Sequence, residues 1–199
     1  PGGPGIDLPA GPSELLVIAD DSASPATVAA DLLSQAEHDV DAQVLLVSPS
    51  ASMIDAVARE VERQSAAMGG NFALARFINC ADLDEAVAIA NAYAPEHLSL
   101  ACEDAAALVP AVRNAGAIFV GHHAAESFGD YLAGSSHVLP TDGAARVTGG
   151  VSTLTFMKAI TVQQVSVQAA AALSTSAAAL ARLEGLEAHA RAAEARSAA

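Results

Sequence analysis

The hydrophobic positions of this chain follow two different periods. Short apolar and β-branched runs predict four strands, at Leu15 to Ala19, Gln43 to Val47, Phe72 to Ile78 and Gly116 to Gly121. Apolar residues at helical spacing predict helices at Ala26 to Glu37, Ser52 to Met68, Leu83 to Ala92 and Asp104 to Asn114. This alternation is typical of an α/β unit. We expect about five strands within residues 11–150, with one short strand beyond Gly121.

The pattern changes after Gly149 and Gly150, because residues 154–196 contain no proline, one glycine and many alanines. We predict a helical tail over residues 151–199, which packs either on a second subunit or on its own domain. Residues 1–10 are rich in turn formers and read as a linker or a truncated start. The predicted fold is thus a Rossmann-like, open, mostly parallel sheet with flanking helices, followed by a C-terminal helical tail.

Composition narrows the class of protein. Of the 199 residues, 52% are hydrophobic and 16% are charged, and no apolar run is long enough to cross a bilayer, which favours a soluble, cytoplasmic protein. A net charge of −14, with Lys158 as the single lysine, argues against nucleic acid and anionic membranes as partners. Cys80 and Cys102 form no known motif, and we interpret both as buried small hydrophobic residues.

The dipeptide Glu96-His97, within Ala94 to Leu98, places a carboxylate beside an imidazole just after a predicted helix. Adjacent side chains usually diverge, so we expect Glu96 and His97 not to pair but to handle two different protons of one bound substrate. The alternative is structural, with Glu96 solvated and His97 hydrogen-bonded at the edge of the core.

Other polar residues are candidates for ion or ligand binding. Gln35 and His38 lie at i and i+3 near the end of the first helix and could reach one ion, although the helix dipole also favours a histidine there. Asp130 follows a predicted buried strand, beyond whose carboxyl end open sheets place ligands. Glu184 and His189, taken alone, are solvated positions of the tail.

Six blocks together resemble histidinol dehydrogenases, in order and over only the C-terminal half of that family's chain. They are Ala10 to Glu14, Asp31 to Asp39, Asn91 to Leu98, Asn114 to Gly121, Gly129 to Tyr131 and His137 to Thr141. The N-terminal half of the family has no counterpart in this sequence.

The resemblance implies oxidation of L-histidinol to L-histidine, through L-histidinal, by two hydride transfers to NAD with one zinc ion per site. It implies zinc binding by Gln35, His38 and Asp130, completed by His189 from the tail of the partner in a homodimer. His97 would take the alcohol proton and Glu96 would activate water. The remaining positions that match the family near the substrate are Ser13, His137 and Glu184, the last of them reaching across the dimer interface.

Some positions depart from the family pattern. Ala124-Ala125 replaces the usual Thr-Pro or Ser-Pro before Glu126, and Gly149-Gly150-Val151 is a variant of the usual turn. His122-His123 matches no family ligand position and is predicted to be a surface loop.

The NAD-binding residues are expected in the missing N-terminal half, or in a separate chain that carries it, since no G-x-G-x-x-G follows a strand here. Two functions therefore stay open. The chain is part of a zinc- and NAD-dependent dehydrogenase, or it is a redox-inactive, dimeric module that binds zinc or histidinol.

Overall fold

The computed structural model describes residue 8 and residues 11–196. The chain forms two compact units, Pro1–Met157 and Lys158–Ala199. The predicted linker over residues 1–10 lies, apart from Leu8, outside the described residues.

The first unit is built on a five-stranded parallel sheet with the order β3-β2-β1-β4-β5. Its strands are β1 Glu14–Ala19, β2 Gln43–Ser48, β3 Ala75–Asn79, β4 His97–Ala101 and β5 Ala117–Val120. With β1 in the middle, the order is that of a Rossmann-type sheet. The predicted α/β class and the parallel sheet are confirmed.

Helices cover both faces of this sheet. They are α1 Pro25–Ala36, α2 Ala51–Met68, α3 Leu83–Tyr93, α4 Ala105–Leu108 and α5 Glu126–Tyr131. Leu15 and Val17 of β1 pack with residues of α1 and α2, whereas Leu16 and Ile18 pack with residues of α3 and α4. Because successive strand residues face opposite sides, a strand covered on both sides must be apolar throughout, and Leu15 to Ala19 are all fully buried.

Local signals in the sequence set the ends of the helices. Ser24 caps α1 and Pro25 occupies its first turn, and Asp82 caps α3 by accepting from the Glu85 N–H at 2.8 Å. At the other end of α3, Ala94 adopts a left-handed conformation with φ of 60°. A residue with a Cβ is uncommon there, and Ala94 turns the chain sharply into Pro95 and β4.

Several predicted elements differ from the structure. The fifth strand is β4, not a strand beyond Gly121, because His97 and Ser99 alternate with leucines and hide the strand in the sequence. The predicted helix Asp104 to Asn114 is wrong: α4 stops at Leu108 and a 3₁₀ turn follows, since Pro110 cannot donate the hydrogen bond that a longer helix needs.

The second unit is a pair of helices, α6 Val167–Leu183 and α7 Glu187–Glu194, connected by a turn at Gly185. Ser174 of α6 donates from its hydroxyl to the Ala193 carbonyl at 2.8 Å, and Arg182 forms ion pairs with Glu187 and Glu194. The predicted helical tail has a 3₁₀ turn at Thr153–Phe156 and is α-helical only from Val167. Residues 157–166 include several β-branched side chains, which disfavour an α-helix. None of the helices in the described residues is long and apolar enough to span a membrane.

Candidate active site

His97 is the first residue of β4 and is 5% exposed. In the parallel pairing of β4 with β1, His97 lies opposite Leu15. Its side chain therefore lies on the sheet face that α1 covers. Its Nδ1 lies 2.9 Å from the carbonyl oxygen of Glu14. Since a carbonyl oxygen can only accept, Nδ1 carries a hydrogen and the neutral ring keeps its lone pair on Nε2. Nε2 is buried and has no hydrogen-bond partner among the described residues.

Glu96 is also buried, at 7% exposed, so the solvated alternative for this residue is wrong. Its Oε2 accepts from the Glu14 N–H at 2.9 Å and lies 3.5 Å from Nδ1 of His97. The expected divergence of the two side chains is therefore wrong as well. Alternation applies within a regular strand, whereas Glu96 belongs to the turn before β4.

Glu126, the first residue of α5, supplies a second buried carboxylate near His97 and is 4% exposed. Its pKa is raised to about 7, chiefly by burial; the charge of His97 lowers the pKa, whereas the charges of Asp130 and Asp31 add to the rise. Burial lowers the pKa of His97, but the contact with Glu96 and the charge of Glu126 outweigh it, so the net pKa is raised. An imidazole between two buried carboxylates is well suited to exchange protons.

Gln35 of α1 is completely buried and meets Glu126 side chain to side chain. With its amide nitrogen facing α5, Gln35 donates to the two Glu126 carboxylate oxygens at 2.5 and 3.1 Å. Asp130 lies one helical turn after Glu126 on α5. Gln35 thus contacts the Glu126 carboxylate, and His97 and Asp130 lie close enough to affect the pKa of Glu126, although the three residues come from separate elements.

The remaining candidate residues lie at more open positions. His38 is exposed, just beyond the end of α1, and its backbone N–H donates to the Gln35 carbonyl at 3.3 Å. Ser13 is half-buried directly before β1, and His137 is exposed in the segment after α5. Glu184 and His189 are exposed residues of the second unit.

His122 and His123 are exposed in the loop after β5, as predicted. Nε2 of His122 lies 3.1 Å from the Ser22 hydroxyl. The two cysteines are free and buried, as predicted, and burial raises the pKa of the Cys102 thiol to about 12.

The donor chemistry of the predicted ligands suits a zinc ion. Gln35, His38 and Asp130 offer oxygen and nitrogen without thiolate, a set that zinc accepts. No three His, Cys, Asp or Glu side chains converge as a metal site within the part of the chain that the structure describes. The predicted ligands therefore fit the ion by their chemistry.

The Glu96–His97 pair lies at the amino ends of β1 and β4. Rossmann-type sheets place ligands at the carboxyl ends of their strands, and the prediction for Asp130 assumed the same edge. That prediction also assumed a buried strand, whereas β5 is the edge strand of the sheet and is only half-buried. The pair is positioned instead by Ala94 and Pro95, which bring the chain from α3 into β4.

Sequence reasoning assigned no role to Glu14 or Glu126, which are the two further buried carboxylates of this region. In the sequence, nothing distinguishes Glu126 from an ordinary acidic residue in the first turn of a helix. Glu14 gives one weak signal, because it directly precedes the apolar run of β1. Neither signal identifies the partner, which in each case is distant in sequence.

The structure is thus a Rossmann-type α/β unit with a buried carboxylate–imidazole pair at the amino ends of two neighbouring strands. The family model described as histidinol dehydrogenase matches residues 2–197. The chain belongs to the histidinol dehydrogenase family, which is a family of oxidoreductases.

Individual relatives and a solved structure support this family assignment. A histidinol dehydrogenase of Xanthomonas euvesicatoria pv. vesicatoria is 50% identical over 197 residues, which are 96% of this chain and 46% of that protein. One from Thiocapsa roseopersicina is 47% identical over 98% of this chain and 86% of its own length. The crystal structure of histidinol dehydrogenase from Elizabethkingia anophelis matches with a TM-score of 0.89 and 39% identity, over 96% of this chain and 45% of that one.

The family predicted from the six sequence blocks is thereby confirmed. The chain spans about half the length of the Xanthomonas and Elizabethkingia proteins.

Proposed function

We propose that this chain is the substrate-binding half of a histidinol dehydrogenase, which oxidises L-histidinol to L-histidine through L-histidinal. The observation that carries the proposal is the fixed tautomer of His97. Its Nδ1 donates to the Glu14 carbonyl, and its buried Nε2 is left with a lone pair and no partner. Such an atom is prepared to accept a proton from a bound hydroxyl group.

His97 performs the first proton transfer in this proposal. Nε2 takes the hydroxyl proton of L-histidinol while a hydride leaves the carbinol carbon, which becomes the aldehyde carbon of L-histidinal. Glu96 and Glu126 support the positive charge that then develops on the ring, in agreement with the raised pKa of His97.

Glu96 performs the second proton transfer. Its carboxylate takes a proton from a water molecule as the water oxygen bonds to the aldehyde carbon, which gives the monoanion of the hydrate. Loss of a second hydride to NAD and of one proton from this monoanion yields the carboxylate of L-histidine. Two different bases are therefore needed, and the buried pair supplies both at the start of one strand.

Two further groups complete the proposed enzyme. Bound NAD would supply the hydride acceptor, and we propose that its site is formed mainly by an N-terminal half, since the Xanthomonas and Idiomarina relatives are about twice as long as this chain. A zinc ion held by Gln35, His38 and Asp130, with His189 of the partner subunit, would orient the substrate through its nitrogen atoms. In this arrangement the active unit is a homodimer.

The test is NADH production from L-histidinol by this chain with added zinc, alone and after addition of an N-terminal half from the family. Activity in the mixture only supports the proposal in full. Activity of the chain alone would mean that NAD binds within these residues and would remove the assignment of its site to the other half. If both samples are silent while zinc is bound, the dehydrogenase proposal fails and a binding module remains.

A further inference from the structure

Glu14 is a buried carboxylate to which the proposed chemistry gives no role. It is 2% exposed at the start of β1, and its two carboxylate oxygens accept from two separate segments. Oε2 accepts from the Glu96 N–H at 3.2 Å, and Oε1 accepts from the Asp142 N–H at 2.9 Å. Burial raises the pKa of Glu14, while these two backbone N–H groups act in the opposite direction.

Glu14 and Glu96 bind each other reciprocally. Each carboxylate accepts the backbone N–H of the other residue, at 2.9 Å to Glu96 Oε2 and at 3.2 Å to Glu14 Oε2. This arrangement fixes the backbone of Glu96 and its side chain together. By contrast, Glu14 holds His97 only through its backbone carbonyl, which any residue at this position would provide.

The segment that carries Asp142 is itself held in place. Asp142 and Gly143 both have positive φ, at 53° and 72°. Arg146 donates to the Gly143 carbonyl at 3.1 Å and to the Tyr93 carbonyl at 3.3 Å, at the end of α3. The turn 142–146 is thus attached both to the helix that precedes Glu96 and, through Glu14, to β1.

We propose that Glu14 is a positioning residue that serves Glu96 selectively: its carboxylate ties the turn at Asp142 to the backbone of Glu96 and so aims the Glu96 carboxylate at its water molecule. This inference rests on the proposed function. It predicts an unequal effect on the two oxidations, because the Glu14 carboxylate hydrogen-bonds to Glu96, whereas His97 is hydrogen-bonded by the Glu14 backbone carbonyl.

The test compares the two oxidations in the active assembly of this chain with an N-terminal half. In Glu14→Gln one oxygen acceptor is replaced by an amide donor, so at least one of the two N–H contacts is lost. We expect NADH formation from L-histidinal to fall about tenfold or more, and the first hydride transfer from L-histidinol, in a single turnover, to fall less than about threefold. The KM for L-histidinol and the zinc content stay unchanged.

Two further variants make the comparison specific. Glu85→Gln is the matched control, because Glu85 also accepts a backbone N–H, that of Ala81, but at the start of α3, away from the pair. It is expected to leave both oxidations unchanged. Glu14→Asp keeps the charge but is one methylene shorter, and it is expected to show the same unequal loss. This variant decides the question if Glu14→Gln does not fold.

The outcomes separate the two proposals. An active wild-type assembly in which the Glu14 variants slow both oxidations equally, or neither, overturns the role of Glu14 and leaves the dehydrogenase proposal intact. A silent wild-type assembly overturns the dehydrogenase proposal, and the role of Glu14 falls with it.

Discussion

The Gln35 amide donates to both oxygens of the Glu126 carboxylate, at 2.5 and 3.1 Å, and so joins α1 to α5. Glu126 is close enough to His97 to raise the pKa of its imidazole. Because the amide nitrogen faces Glu126, the amide oxygen of Gln35 faces away from it. Carboxylates that orient a ligand in this way are common around metal ions in proteins. One buried acid thus contacts a proposed zinc ligand and influences the proposed base electrostatically.

Replacing Glu126 by glutamine lowers the pKa of His97. The negative charge of Glu126 stabilises the imidazolium, so its removal favours the neutral ring. An NMR titration of the ring in the zinc-free chain measures this change. Glu103→Gln, at an exposed position, is the control and is expected to leave the pKa of His97 unchanged. An unchanged His97 titration in Glu126→Gln would show that the two groups are not coupled.

We expect substitution of His97 by asparagine to suppress oxidation of L-histidinol strongly and to leave the zinc content unchanged. The variant lacks the Nε2 lone pair, and general-base catalysis contributes about 10²- to 10⁴-fold. Zinc is measured by metal analysis of the purified protein, and activity by NADH formation in the assembly with an N-terminal half. His123→Asn, in the exposed loop after β5, retains activity. Loss of zinc in His97→Asn would make His97 a ligand and not the base.

The pH dependence of kcat/KM is a second test of the proposed role of His97. His97 accepts a proton only when neutral, so activity rises with pH through its pKa. That pKa is raised above the ordinary value of 6.5, because Glu96 and Glu126 outweigh the effect of burial. We therefore expect the rising limb of the profile to have its midpoint above pH 6.5. A midpoint below that value contradicts the electrostatic arrangement described for the free enzyme.

Removal of residues 180–199 lowers zinc affinity and weakens dimerisation together, since the tail carries both a proposed ligand and exposed apolar side chains. The single variant His189→Ala separates the two effects and lowers only zinc affinity. Arg191→Ala, on the same helix, is the control. Zinc titration and analytical ultracentrifugation measure the two properties. Full zinc affinity in His189→Ala would exclude His189 from the site.

Asp31 makes stability depend on pH. It borders a cavity of about 30 Å³ beside Thr27 and Ser99, and burial raises its pKa to about 6 from an ordinary 3.8. A carboxyl group whose pKa is raised by folding makes its full contribution to the stability of the folded state at pH values below its unfolded pKa. This contribution is lost as the pH rises through the folded pKa of about 6.

At pH 8 the free energy of unfolding of Asp31→Asn is therefore higher than that of the wild type, by about 1 to 2 kcal/mol after allowance for the partial exposure of Asp31. Below about pH 4 the two proteins are equally stable. Urea denaturation at both pH values measures this. Asp55→Asn, at an exposed position of α2, shows no such difference. If Asp31→Asn and the wild type differ in their free energy of unfolding by the same amount at both pH values, ionisation of Asp31 is excluded as the cause.

The fold was largely predictable because its strongest signals are local. The apolar runs of β1 and β2 and the caps at Ser24 and Asp82 can be read from a few neighbouring residues. The strand β4 was missed because His97 and Ser99 are polar residues that are buried through long-range contacts. Nothing near His97 in the sequence indicates that the Glu14 carbonyl will accept its Nδ1–H.

The candidate site was predictable only in part, for the same reason. The sequence itself made Glu96, His97, Gln35 and Asp130 candidates, and the resemblance gave each a role. In the structure Gln35 contacts Glu126, and His97 and Asp130 affect the pKa of Glu126. The roles of Glu14 and Glu126 arise from contacts between distant segments. A carboxylate in a sequence looks the same whether water or a protein N–H group will solvate it.

The placement of His97 on β4 has a consequence for hydrogen exchange. Leu98 and Leu100 are fully buried, and β4 is paired on both sides, with β1 and with β5. Amides of such strands exchange only when the whole unit unfolds, whereas loops and ends open with little cost in free energy. We therefore expect the backbone of β4, which carries the imidazole of the proposed base, to exchange slowly, so that its geometry persists through local opening of the surrounding loops.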